Sequence, residues 1–288
     1  MRLGQIVWQL AIRKLPQGAI LTDKKTPFIA VPNPIGMWAA DPFILEKDNK
    51  VYIFAELFSL SQWRGKLGYC VYENNKFSKW NIIFDDEHHY SYPNVFEKNG
   101  EIFMMPETGS INEIAIYKAV DFPSKWEKQS VILSGEKMVD SVFISDDTIL
   151  SYKMFGNFKN HLVLLKKENN DWYQVANIVD SQEIKRPAGK IFSCGAGFVR
   201  PAQDGRSLYG GAIKFFDCGD IANDINSEKE ILDLQPCEIV VKNLNKEFVG
   251  THTYNSISNF EIVDVQYYKF SFIGLFKRIF IKLSKRRR

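Results

Sequence analysis

The sequence predicts an all-β protein, a five-bladed β-propeller carrying a basic amphipathic helix at its C-terminus. Three observations predict it: a repeat near fifty residues, hairpin turns spaced through that repeat, and weak helical periodicity everywhere before the last twenty or so residues. The chain has 288 residues, of which 45% are apolar, 25% charged and 14% aromatic, a composition that excludes disorder and collagen. No apolar run approaches the roughly 18 residues of a membrane-spanning helix.

The repeat is visible in five segments: 40–56, 91–107, 139–153, 197–215 and 250–270. The first three, and more loosely the fourth, share one grammar. A polar residue precedes a short apolar strand, a turn of Asp, Asn, Gly or Ser follows, and a second apolar strand comes next. The anchors are Asp41, Tyr92, Asp140, Arg200 and His252, at steps of 51, 48, 60 and 52 residues. That period suits a four-stranded propeller blade. The outer strands fit as well. Segments 67–84, 113–133 and 161–179 each read as strand, polar turn, strand, and the turns KDNK, EKNGE and ENNK carry the Asn and Gly that tight hairpins need. One blade cannot hide both of its faces, so neighbours must stack and close a ring. Residues 1–35 are expected to add a strand to the last blade and close it. The expected division is one propeller over 1–266 and a tail over 267–288.

The net charge of +3 is unevenly spread. Residues 267–288 hold eight Lys and Arg and no acid, a local +8, which leaves −5 on residues 1–266. An acidic body argues against nucleic acid as a partner. Within the tail, Phe272, Phe276, Ile279, Phe280 and Leu283 fall on one helical face, with Arg278, Lys282 and Lys285 opposite. Aromatics opposite a basic face suit an anionic membrane surface, at about 1 kcal/mol per basic group. The four cysteines form no C-x-x-C pair, so no zinc site is expected, and no metal or cofactor is implied. The N-terminal stretch lacks a clean apolar core and a small-residue cleavage site. The expected location is cytoplasmic, peripheral on the inner face of the membrane, with reduced thiols. Walker, Rossmann, nucleophile-elbow and zincin motifs are all missing.

In a propeller the first strand of each blade lines a central channel, so polar residues that start these strands converge on one opening. The candidates are Asp41, His89, Tyr92, Asp140, Arg200, Gln203, Asp204, His252 and Asn255, with Glu56 and Glu107 at equivalent ends of the second strands. Carboxylates crowded around an axis push each other's pKa values apart, the condition for one protonated acid beside one ionised base at a glycosidic bond. Asp41, Asp140 and Glu107 are therefore the expected catalytic groups. Arg200 is expected to hold a phosphate or carboxylate, and His252 and one of His88 or His89 to act near neutral pH. Plainer roles compete: a turn cap for Asp41, an ion pair for Arg200, backbone bonds for the two Glu.

These residues stand in ordered motifs: Ala40-Asp41-Pro42-Phe43 with Glu56, His89-Tyr90-Ser91-Tyr92-Pro93 with Pro106-Glu107-Thr108, Asp140-Ser141-Val142-Phe143, Arg200 to Asp204 with Tyr209-Gly210, and His252 to Asn255 with Asp264. Over about residues 36–266 the pattern resembles the N-terminal domain family of the plant glucosamine inositolphosphorylceramide transferases, also found as bacterial stand-alone proteins. The resemblance implies a five-bladed propeller similar to the arabinanase and β-xylosidase clan of glycoside hydrolases, with Asp41 in the place of the general base. Where that clan has a second Asp that tunes pKa, this chain has Tyr92, and Asp140 is the nearest match to its third-blade acid. These departures point away from plain hydrolysis. The expectation is a glycosyltransferase that moves a sugar from a donor to a lipid-linked glycan acceptor in bacterial-type surface polysaccharide synthesis. A glycoside hydrolase and a non-catalytic glycan-binding module are the alternatives.

Overall fold

The computed structural model describes residues 4–155, 160–195 and 197–270. The chain folds as a five-bladed β-propeller of five sheets, antiparallel but for the parallel pairing of Phe28–Ala30 with Val241–Lys242. Blade 1 runs outward through Met37–Lys47, Lys50–Ser59, Arg64–Glu73 and then Lys76–Phe77 with Asn81–Phe84. Blade 2 comprises Ser91–Lys98, Glu101–Thr108, Glu113–Asp121 and Lys125–Ser134, and blade 3 Met138–Ser145, Thr148–Lys153, His161–Glu168 and Asp171–Val179. The hairpin turns have the chemistry expected of them. Asp48-Asn49, Asn74-Asn75, Asn99-Gly100 and Asn169-Asn170 all hold positive φ at both central residues, the conformation that matches strand twist and that Asn and Gly tolerate.

The ring closes as predicted. Gly4–Lys14 pairs along its whole length with Phe260–Phe270, from Gly4 against Phe270 to Lys14 against Phe260. Blade 5 is thus Tyr254–Ile257, Phe260–Phe270, Gly4–Lys14, Phe28–Ala30 and Val241–Lys242, so both ends of the propeller share one sheet. The last strand continues to Phe270. The amphipathic helix expected in the tail, and the basic residues 277–288, lie outside the described residues. Among the described residues no helix is long and apolar enough to cross a membrane.

Blade 4 corrects the repeat. Its strands are Phe192–Cys194, Gly197–Asp204, Ala212–Asp217 and Lys229–Leu234. The strand carrying Arg200 is the second, not the axial one. The axial segment begins at Arg186-Pro187-Ala188, and Pro187 bridges to Ala202 across the pair. Arg-Pro-Ala occurs twice, at 186 and at 200, and only the second copy lies within a regular strand.

The core lies between the blades. Leu10 and Ile12 of blade 5 pack on Ile44, Ile53 and Leu57 of blade 1. Phe54 of blade 1 meets Tyr92, Val95 and Met104 of blade 2. Met105 of blade 2 packs with Ile149 and Leu165 of blade 3, and Phe215 of blade 4 meets Tyr254 and Val263 of blade 5. Each blade is held by its two neighbours, which fixes the axial strands relative to one another.

Candidate functional site

Three axial strands carry the same irregularity. Pairing slips between Ala40 and Phe43, between Ser91 and Asn94, and between Val139 and Val142. Inside each slip one residue takes a left-handed backbone: Asp41 at φ 51°, Tyr92 at 47° and Asp140 at 49°. Such conformations cost about 1–3 kcal/mol each and persist only where the surroundings impose them. A bulge re-aims its side chain. The residue before each bulge faces Glu56, Glu107 and Tyr152 respectively on the second strand. The repeat therefore delivers an inner row of bulge residues and an outer row containing two glutamates.

Asp140 is held by Arg186, whose Nε lies 2.5 Å from Oδ2, and by Gln203 Nε2 at 3.1 Å. Glu107 approaches Arg186 Nη2 at 3.9 Å, on the same guanidinium that holds Asp140. Across the opening, Thr253 Oγ1 donates to Asp41 Oδ1 at 2.8 Å. Asp264 accepts backbone N–H groups from Asp41, His252 and Thr253, and its Oδ2 lies 2.6 Å from His252 Nδ1. His252 is stacked on Trp8 at 4.0 Å and meets the edge of Tyr209, which also faces the Arg186 guanidinium at 5.4 Å. Glu56 lies 3.5 Å from His89 Nε2, while His89 Nδ1 accepts the Gly65 N–H at 2.9 Å, so the neutral ring carries its proton on Nε2. Gly65 is required there: a Cβ would fall 2.3 Å from Glu56 Oε1 and 2.6 Å from the Tyr90 carbonyl.

Burial and mutual repulsion set the protonation states. Burial lifts Asp41 to about 6; His252 opposes the rise, and Asp140 and Asp264 add to it. Burial also holds Glu107 well above the carboxylate range, reinforced by Asp140 and opposed by Arg186. Glu56 is likewise raised by burial and then by Asp41 and Glu107. His252 loses solvation, yet the Asp264 and Asp41 charges outweigh that loss and raise it. Burial lowers His89. At neutral pH the opening thus holds an ionised Asp41 and protonated Glu107. Water reaches it past Glu107, Arg186, Tyr209 and His89, all partly exposed.

The expected site residues divide into two groups. Asp41, Glu56, His89, Glu107, Asp140, Gln203 and His252 come together at this opening. Tyr92 is fully buried and its hydroxyl accepts the Gly189 N–H at 2.7 Å, plugging the channel beneath the carboxylates. Gly189 has φ +146° and a Cβ there would lie 1.8 Å from the Tyr254 carbonyl, so only glycine passes. Asn255 joins blades, donating to the Pro42 carbonyl and accepting from the Lys190 N–H. Asp204 pairs with exposed Arg206. Arg200 is fully buried and bidentate on Glu228, which also holds Lys185. Buried and paired in the core, it does not reach a ligand phosphate at the opening, where Arg186 supplies a guanidinium instead. Of the adjacent pair, His89 enters the opening and His88 stays outside, its N–H on Asp86. The near-duplicate Arg-Pro-Ala was the one sequence signal that pointed to Arg186.

Asp41, His252 and Asp264 offer ligand atoms within 4.8 Å of one another, as a metal site would. The oxygens of Asp264 already accept three backbone N–H groups, and Asp41 accepts from Thr253. The two carboxylates are thus engaged by protein donors, with the His252 ring ion-paired between them. Among the described residues the cysteines are free, and none approaches this triad.

Solved structures share the fold at low identity. The catalytic domain of the Coprinopsis cinerea GH62 α-L-arabinofuranosidase matches at a TM-score of 0.58 and 10% identity, over 83% of this chain and 95% of that one. An exo-β-1,3-galactanase of Phanerochaete chrysosporium matches at 0.52 and 14%, over 88% and 64%. Among curated proteins, glucosamine inositolphosphorylceramide transferase 1 of Arabidopsis thaliana is 30% identical over 194 residues, 61% of this chain and 25% of that protein. Its counterpart in japonica rice is 27% identical over 195 residues, 62% and 26%. The chain thus spans about a quarter of the length of these relatives. The model of the family described as glucosamine inositolphosphorylceramide transferase 1, N-terminal, matches residues 30–266, and the chain belongs to that family.

Proposed function

We propose that the axial opening binds a sugar and transfers a glycosyl unit to a hydroxyl of a lipid-linked glycan. One observation carries this reading: two carboxyl groups at one opening in opposite protonation states, Asp41 near 6 and Glu107 far above its usual range. In the proposed step the acceptor hydroxyl gives its proton to the Asp41 carboxylate while its oxygen bonds to the anomeric carbon. The bond from that carbon to the leaving oxygen breaks, and Glu107 protonates the leaving oxygen. Arg186 holds Asp140 and faces the mouth, where it neutralises charge on the donor. The names of the plant relatives support transfer over hydrolysis. With water as acceptor the same proton movements hydrolyse the bond. The basic segment 267–288 supports a place on an anionic, cytoplasmic membrane face, where surface polysaccharide is assembled on lipid.

The test is incubation of the full chain with radiolabelled nucleotide sugars and a bacterial lipid extract. Label is expected to enter the lipid fraction, and Asp41→Asn and Glu107→Gln are each expected to slow this by about 10²–10⁴-fold. Full activity in Asp41→Asn rejects the base. Free labelled sugar formed equally without lipid shows hydrolysis instead. Saccharide binding with no turnover reduces the site to a binding module.

A further inference from the structure

The rim of blade 1 carries an aromatic group that acid–base chemistry does not use. Trp38 and Phe58 are direct partners across the first two strands, and their rings stack at 4.5 Å with only 7° between planes. Trp63, in the turn that follows, sets its ring edge-on to Phe58 at 5.3 Å and leaves 61% of its surface exposed. Its backbone is left-handed, at φ 58°, a conformation that costs an aromatic residue energy and that the turn nevertheless imposes. The group is continuous with the opening. Strand alternation puts Phe58 on the same sheet face as Glu56, two residues and about 7 Å further toward the rim. The next strand places Gly65 opposite Phe58, and the His89 ring lies on the Gly65 N–H, with 40% of its side chain exposed. An exposed indole, a stacked aromatic pair behind it and an imidazole donor beside it therefore follow directly from the carboxylates.

We propose that Trp63, backed by Phe58 and Trp38 and flanked by His89, forms a subsite for the neighbouring pyranose ring of a glycan whose reacting bond lies at Asp41 and Glu107. This rests on the reading of the axial opening as a sugar site and adds that the ligand is an oligosaccharide rather than a single sugar. A pyranose presents a face of C–H groups and an edge of hydroxyls. The C–H face packs on indole, and an edge hydroxyl accepts from His89 Nε2–H while donating to Glu56. The step of about 7 Å between Glu56 and Phe58 leaves room for one further sugar ring beyond the reacting one. Bare apolar contact with lipid would not call for His89 and Glu56 at the same place.

Titration calorimetry on the full chain tests this. The probes are the methyl glycosides of glucose, mannose and galactose and the trisaccharides of each. The wild type is expected to bind at least one trisaccharide about tenfold tighter than its methyl glycoside, a step of 1.4 kcal/mol. Trp63→Ala should erase that gain and Trp63→Phe should keep most of it. Trp63 is on the surface, so the variant is expected to fold. If the gain survives in Trp63→Ala while Arg186→Ala abolishes all binding, the subsite is wrong and the opening stands. If no probe binds the wild type, both readings fall. If Trp63→Ala instead releases the chain from phosphatidylglycerol vesicles with saccharide affinity intact, the aromatic group is a lipid contact and the subsite is overturned.

Discussion

Replacing Asp41 by Asn should make the fold more stable at neutral pH while slowing turnover by about 10²–10⁴-fold. Asp41 is buried among Asp140, Asp264 and the two glutamates, and its carboxyl is raised from 3.8 to about 6. A carboxyl raised in the folded state favours folding when protonated and opposes it when ionised. Its ionisation therefore costs nothing below about pH 3.8, and the cost grows as pH rises toward 6 and is constant above. At 1.36 kcal/mol per pH unit, that cost reaches about 3 kcal/mol at pH 7.5 and falls to about 1 kcal/mol at pH 4.5. Asn removes the charge, tolerates the left-handed backbone at φ 51° and still accepts from Thr253 Oγ1. For a domain of this size, 3 kcal/mol corresponds to a rise in Tm of roughly 6 °C. Thermal unfolding of wild type and Asp41→Asn, followed by circular dichroism at both pH values, measures the difference. A variant no more stable than wild type at pH 7.5, or a gain that does not shrink at pH 4.5, would refute the electrostatic reasoning.

Two further outcomes follow from the geometry. Arg200→Met leaves Glu228 buried with Lys185 as its one ion-pair partner among the described residues, and should destabilise by about 3–5 kcal/mol in urea unfolding without changing saccharide affinity at the opening; a loss of affinity in a folded variant would return Arg200 to the site. Gly65→Ala drives a methyl group into Glu56 and the Tyr90 carbonyl, and should cost about 1–3 kcal/mol; an unchanged unfolding midpoint would show that the contact yields freely.

Much of the architecture was legible because a propeller repeats its physics. The period near fifty, the Asn and Gly pairs at the hairpins and the apolar N-terminal segment led to blades, turns and closing strand. Asp41, Tyr92 and Asp140 were placed in register by the same pattern, and they share one bulge. Glu56 and Glu107 followed from strand length. Blade 4 was misread because its axial strand is only Phe192–Cys194, preceded by an irregular run, so hydrophobic periodicity passed to the second strand and took Arg200 with it. Arg200 and Arg186 head the same tripeptide, and burial alone separates their roles: one neutralises Glu228 in the core, the other Asp140 at the mouth. Trp8 comes from a strand that carries no anchor, and ring closure brings it against His252, whereas Asp264 reaches His252 across the local hairpin that pairs Tyr254 with Val263. Tyr209 reads as a packing residue until the fold sets it over Arg186.

The sharpest check on Asp41 as the base is the pH dependence of kcat/KM for the wild-type chain with a saccharide acceptor. Ionised Asp41 is the active form, so the rate should fall as pH drops, with a midpoint at about 6. A rate that stays flat down to about pH 5, or turns only near the ordinary carboxylate value of about 4, would contradict the assignment.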